Sequence, residues 1–193
     1  MEWNTPIGET AACGGDAFMR VTSVEEVGGY DETVIAGEEP EICLRLRRLG
    51  HRIWRTDSEM TRHDTQITKF SQWWRRNVRA GYAYAEGYHR YGKQPEKLNR
   101  RAVISNVAWG LGIPIITIAL LVPTLGWSVA ILLLYGLLYL RIFSACLAVG
   151  HRWRDAGLYA QFVTLGKFPQ AQGLLQFHIR RISKSERKII EYK

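Results

Sequence analysis

The sequence predicts an α/β segment carrying a catalytic surface, followed by a transmembrane helical hairpin and a basic amphipathic tail. Three observations lead there. Uncharged residues run without a break from Ala102 to Leu140. Helix and strand signals punctuated by paired glycines and carboxylates precede that run. Basic residues crowd both of its flanks. The expected divisions are residues 1–100, 101–150 and 151–193, and 193 residues leave room for one modest domain plus a membrane element.

The net charge of +8 is unevenly spread. Residues 1–41 hold one Arg and ten carboxylates, whereas residues 42–101 hold 15 Lys/Arg against five Asp/Glu. Residues 141–193 add ten Lys/Arg against three Asp/Glu. A basic middle and tail around an apolar stretch suit an anionic ligand and an anionic lipid surface. Nucleic acid is the competing meaning of such charge. The apolar run counts against it and no nucleic-acid motif is present, so no nucleic-acid partner is expected. Cys13, Cys43 and Cys146 are too few and scattered for a disulfide framework or a zinc site, and read as small buried hydrophobes. Met1 is followed by an acidic, polar segment, so no secretory signal is expected.

Along the chain, Gly14-Gly15-Asp16 permits close backbone approach. Thr22-Ser23-Val24-Glu25 has capping-box spacing and predicts a short helix starting there, ended by Gly28-Gly29. A second helix is marked by Pro40 near its start, an Ile42, Leu46 and Leu49 stripe, Arg47 and Arg48 in its last turn, and Gly50 beyond. Glu38 and Glu39 are expected just before it, where the helix dipole favours negative charge. An ionised carboxylate there can accept a proton from a hydroxyl, or serve only as cap and dipole partner. Residues 51–56 read as a short strand. His63 is a candidate metal or diphosphate contact, with a purely structural role as the alternative. Thr68 to about Tyr91 reads as an amphipathic helix with a Phe70, Trp74, Val78, Tyr82 and Ala85 stripe. Arg75, Arg76 and Arg79 are interleaved with its aromatics, as a phosphate clamp, a membrane-surface contact or a solvated face.

Val103 to Val122 is long enough to cross a bilayer, Pro123-Thr124-Leu125-Gly126 supplies a turn, and Trp127 to Val149 forms a second span interrupted by Arg141. Lys97, Arg100 and Arg101 precede the hairpin, and Arg152 and Arg154 follow it. The positive-inside rule then expects both ends in the cytoplasm and a multi-pass protein of the cytoplasmic (inner) membrane. Pro114, near Gly110 and Gly112, predicts a kink. Arg141 snorkels to the headgroups, or meets a lipid-linked phosphate. Phe162 to Phe168, a break at Pro169, then Leu174, Leu175, Ile179 and Ile182 among basic residues predict an interfacial helix, with packing on its own domain as the alternative.

In order, Gly14-Gly15, Gly28-Gly29-Tyr30-Asp31-Glu32, Glu38-Glu39, Arg45-Leu46-Arg47-Arg48-Leu49-Gly50 and His63 resemble the C-terminal half of a family 2 glycosyltransferase catalytic domain. The resemblance covers roughly Gly14 to Gly81, and the hairpin and Ile190-Glu191-Tyr192-Lys193 resemble the membrane tails of some bacterial members. It implies a partial GT-A-type α/β fold and an inverting transfer from a nucleotide-sugar donor to an envelope or lipid-linked acceptor. By that resemblance Glu39, or else Glu38, is the base. Gly14, Gly15 and Asp16 line the acceptor side, while Arg75 and Arg76 stabilise charge. Mg²⁺ or Mn²⁺ is the implied cofactor, with His63 assisting. Two departures stand out. Glu39 replaces the Asp usual in the Glu-Asp pair, and the nucleotide-binding βα units and Asp-x-Asp metal motif are not among these residues. Gln72-Trp73-Trp74-Arg75-Arg76 only loosely resembles the Gln-x-x-Arg-Trp motif of processive synthases, and processivity is not inferred from it. The implied partners are membrane lipids, donor, acceptor and a chain supplying the missing half. A non-catalytic membrane-anchored fragment or partner-dependent subunit is the alternative. A small transporter ranks last, because one hairpin with a single intramembrane charge offers little for a translocation path.

Overall fold

A computed structural model describes residues 6–58 and 67–183. The described chain is mostly helical. Its only sheet among the described residues pairs β1 (Gly8–Thr10) with β2 (Ile53–Arg55) antiparallel, Glu9 opposite Trp54. The expected strand is therefore present, shorter than residues 51–56, in a two-stranded sheet.

Helix α1 spans Val21–Glu26, with Arg20 at its N-cap and no side-chain cap. The capping-box reading is corrected here: Thr22 already lies inside the helix, so its hydroxyl is past the capping position. Gly28 and Gly29 do end it, both at positive φ, with Gly29 N–H bonded to Val24 O at 2.9 Å. Helix α2 spans Glu38–Arg48, starting two residues earlier than Pro40 suggested. Proline fits anywhere in the first turn, whose N–H groups have no intrahelical partner. Gly50 closes α2 at φ 88°, with His51 N–H bonded to Leu46 O at 3.2 Å, a Schellman arrangement.

Helix α3 (Phe70–Tyr91) matches the predicted stripe and buries Val78, Tyr82 and Ala85. Phe70, at the stripe's outer end, stays exposed. The first apolar span runs through α4 (Arg100–Val107), a π-helical turn (Ala108–Gly112) and α5 (Ile113–Ala119). It ends short of Val122, at Ala119, and passes into a run of turns in which Thr124 N–H bonds to Leu120 O and Gly126 N–H to Leu121 O. The π-turn has a clear cause. Ile113 N–H bonds to Ala108 O, five residues back. The next carbonyl in that register, Trp109 O, faces Pro114, which has no N–H. Tyr135 Oη donates to it instead. Gly126 at φ 90° turns the chain into a 3₁₀ segment (Trp127–Leu132) and α6 (Leu133–Ala148).

Arg100–Ala119 and Trp127–Ala148 are each long and apolar enough to cross a bilayer. Only 22% and 6% of their most apolar stretches are covered by the protein itself, unlike the core helices of a soluble domain. Ile115, Ile118, Leu133 and Leu137 face outward, and so does Arg141.

Helix α7 (Trp153–Leu165) lies against α6, with Gly157 beside Tyr139 and Phe143. The break before α8 (Lys167–Ile182) falls at Gly166, not at Pro169, which sits in the first turn of α8. Helix α8 packs on α3 and buries Ala171, Leu174 and Phe177. Packing on the chain's own body thus describes this part of the tail, while Leu175, Ile179 and Ile182 stay exposed. Lys184, Arg187 and Lys188 lie outside the described residues.

The α3–α8 crossing is a backbone contact. A Cβ on Gly81 would come 1.9 Å from Gln170 O, and one on Gly173 would come 1.9 Å from Val78 O. Gly110 of the π-turn meets the same helix, where a Cβ would lie 2.3 Å from Lys167 O. Asn77 Oδ1 accepts from Gln170 Nε2 at 2.9 Å, and Trp74 Nε1 donates to Gln172 Oε1 at 2.8 Å beside the crossing. Gly136 on α6, by contrast, has nothing near its missing Cβ.

Gly173→Ala is expected to lower stability by about 3 kcal/mol, since backbone cannot yield to the added methyl. Gly136→Ala should be neutral or stabilising by about 0.5–1 kcal/mol. Thermal unfolding of the two variants in detergent measures the contrast.

Candidate active site

Three segments meet at the start of α2. Gly37, its N-cap, takes φ 86°, and its missing Cβ would sit 3.6 Å from Ala83 Cβ of α3. Glu38 and Glu39 therefore occupy the first turn of α2, half-buried, rather than the loop before it. The dipole argument survives the shift, because the first turn still carries unpaired N–H groups. Gly15 is brought against Glu39, with Oε1 3.7 Å from where its Cβ would be. Gly14 and Asp16 flank it in the same irregular segment. Burial raises the Tyr30 phenol, with the nearby Cys13 thiol and Glu39 carboxylate adding to the rise.

Two arginines fix this surface. Arg45 grips both oxygens of Glu41, with Nε to Oε1 at 2.8 Å and Nη2 to Oε2 at 2.7 Å. Its remaining donors reach Val27 O at 2.5 Å and Gly29 O at 2.8 Å, so the Gly28-Gly29 turn hangs on α2. Glu41 is buried and also accepts from Tyr91 Oη at 2.6 Å, which ties α2 to the end of α3. Arg90 of α3 spans Asp31 Oδ2 at 2.8 Å and Glu86 Oε1 at 3.1 Å. Asp31 Oδ1 in turn accepts from the Thr33 hydroxyl at 2.6 Å and the Thr33 N–H at 2.8 Å. Buried Glu86 accepts from Ile35 N–H at 3.3 Å. The Gly28 to Glu32 segment is thus held on both sides, and the approach to Glu38 and Glu39 is set by α3.

Arg75 and Arg76 lie on the exposed side of α3, eight and seven residues before Ala83. That is about 10–12 Å of helix rise from the level of Gly37. Their side chains belong to the outer half of α3, beside the aromatic cluster where Trp73 meets Phe162 at 5.2 Å. His63 lies outside the described residues. Among the described residues no group of three or more His, Cys, Asp or Glu side chains could hold a metal ion. The described residues do not fit a divalent-metal site.

The sequence reading missed Arg90, Glu86 and the cysteine pair. Glu41–Arg45 carried a local signal, opposite charges four residues apart in a helix. The contacts of Asp31 with Arg90 and of Cys13 with Cys43 carried none, because their members are far apart in the chain. Cys13 Sγ lies 3.4 Å from Cys43 Sγ.

No protein-family model matches the chain, and no solved structure matches it. A stretch of 51 residues is 43% identical to the succinoglycan biosynthesis protein ExoA of Rhizobium meliloti (strain 1021). The match covers 26% of this chain and 16% of that protein's length.

Arg45→Met should cost about 3–5 kcal/mol, because it strands a buried carboxylate, whereas Tyr91→Phe should cost about 1 kcal/mol. Denaturant unfolding of the two variants checks the order. A pH effect follows from Asp31. The Thr33 hydroxyl, then the Thr33 N–H, hold its carboxyl below the usual range, with Arg90 adding and burial opposing. Its stabilisation is present above the ordinary Asp pKa of about 3.9 and is lost as pH falls through the lower folded value. Asp31→Asn should be less stable at neutral pH and lose less on acidification, which thermal unfolding from pH 7 to pH 3 would measure.

Proposed function

We propose that this chain is part of a membrane-bound, inverting glycosyltransferase of the family 2, GT-A type, working in polysaccharide assembly. The observation that carries the reading is the convergence of Gly15 on Glu39 at the first turn of α2. That is the pairing the motif order implies for an acceptor-side wall and its base. The stretch similar to a succinoglycan biosynthesis protein supports the same class of chemistry.

In this reading an acceptor hydroxyl enters over Gly14 and Gly15, whose lack of side chains leaves room for a sugar ring. Glu39 Oε1 accepts the hydroxyl proton as the oxygen attacks the anomeric carbon of a nucleotide-sugar, and the nucleoside diphosphate leaves. Glu38, one residue earlier, is the neighbouring carboxylate. Arg75 and Arg76 serve the donor phosphates or the membrane surface at the outer half of α3.

In this reading the two apolar spans, each long and apolar enough to cross a bilayer, hold the site beside a membrane, and the positive-inside rule would set Arg100, Arg101, Arg152 and Arg154 on its cytoplasmic side. The acceptor would then be a glycan of the envelope or a lipid-linked sugar.

The test is sugar transfer and donor hydrolysis by the purified full chain in detergent, with a panel of nucleotide sugars and Mn²⁺. Glu39→Gln should lower kcat by about 10²–10⁴-fold with little change in KM, and Glu38→Gln by much less. Equal rates for wild type and Glu39→Gln would sink the assignment of the base. A wild type that neither transfers sugar nor binds nucleotide would overturn catalysis by this chain alone, in favour of a partner-dependent subunit.

A further inference from the structure

Cys13 and Cys43 are 30 residues apart in sequence and touch in the fold. Their sulfurs are 3.4 Å apart, and the Cys13 N–H points at Cys43 Sγ at 3.5 Å. Cys43 is wholly buried in α2, whereas Cys13 is half-buried in a segment with neither helix nor strand. Cys146 is in α6, away from both.

We propose that Cys13 and Cys43 are an oxidisable dithiol whose closure to a disulfide pins the Gly14–Gly15 segment onto α2. A disulfide needs its sulfurs about 2.05 Å apart, so the pair must close by about 1.4 Å. A rotation of Cys13 with a small shift of its irregular backbone supplies that, while the helix holding Cys43 stays fixed. Gly15, two residues on, is already in contact range of Glu39 Oε1. Closure therefore fixes the one wall of the site that no helix holds.

The chemistry suits an oxidant of the peroxide class. The hydrogen bond from the Cys13 thiol pulls the Cys43 thiol down to about 7, with the Cys13 N–H and Arg47 adding and burial opposing. Near neutral pH the pair then holds a single proton, which either sulfur can carry across their contact. Its contact with Cys43, then burial, push the Cys13 thiol well above its ordinary value, so the shared proton rests on Cys13. When it crosses to Cys43, the Cys13 thiolate, which solvent reaches, attacks one peroxide oxygen. An S–O bond forms, the O–O bond breaks, and hydroxide leaves to become water. Cys13 is now a sulfenic acid. The Cys43 sulfur attacks it, the S–S bond forms, the S–O bond breaks, and the oxygen leaves with the thiol proton as a second water. Two thiols are oxidised and one peroxide is reduced to two waters.

The test uses the purified full chain in detergent and does not depend on the proposed sugar transfer. The chain is exposed to hydrogen peroxide, denatured, alkylated with a maleimide and read by intact mass and peptide mapping. Closure is expected to remove two hydrogen masses and leave Cys146 as the one alkylated thiol. It should also yield a linked Cys13–Cys43 peptide that dithiothreitol dissolves. Cys13→Ser and Cys43→Ser should each abolish the linked peptide. The wild-type map carries the test even where a variant fails to fold. Three alkylated thiols after peroxide, or oxygen added to either cysteine with no linked peptide, would overturn the proposal.

Discussion

The crossing of α3 and α8 at Gly81 and Gly173 is the contact on which the other placements depend. Backbone meets backbone there, so neither residue can carry a side chain. The approach lets Tyr82, Ala85, Leu174 and Phe177 close into one cluster with Val103 of α4. The same α8 then receives Gly110 of the π-turn. One rigid element, α3, thereby joins the apolar spans at its middle to the carboxylate-bearing helix at its end. Small residues at helix crossings make such contacts possible because they remove the atoms that would hold the axes apart.

From that frame the charges follow. Glu41 and Glu86 are both buried, which would be costly alone. Each is met by an arginine four residues on along its own helix, and each also binds a group from a different segment. The two carboxylates therefore act as fasteners between α2, α3 and the Gly28 to Glu32 segment. Glu38 and Glu39 differ from them in setting. They sit half-buried in the first turn of α2, with Glu39 beside Gly15. Neighbouring glutamates on one helix thus differ in burial: Glu41 is enclosed and paired, while Glu38 and Glu39 are half-buried.

Much of the fold was legible locally. The α3 stripe, the ending of α1 at Gly28-Gly29, the closure of α2 at Gly50 and the Pro123–Gly126 turn all depend on side-chain period or on φ values that few residues tolerate. Boundaries were less legible. Thr22 looked like a cap, yet the helix had already begun, and Pro40 and Pro169 fit a first turn as well as they mark a start or a break. The candidate base was legible as a residue type at a helix start, and its glycine neighbour only as a motif.

By itself the sequence determined which segments are helical, which stretches are apolar enough to enter a bilayer, and where the chain must turn, because those properties reside in runs of adjacent residues. Only the tertiary structure decided which segments meet. It paired Gly8–Thr10 with Ile53–Arg55, set Arg90 on Asp31, brought Cys13 to Cys43 and turned the buried face of α8 onto α3. Such partners are chosen by how separate segments close around shared surface, and a linear pattern carries no record of that distance.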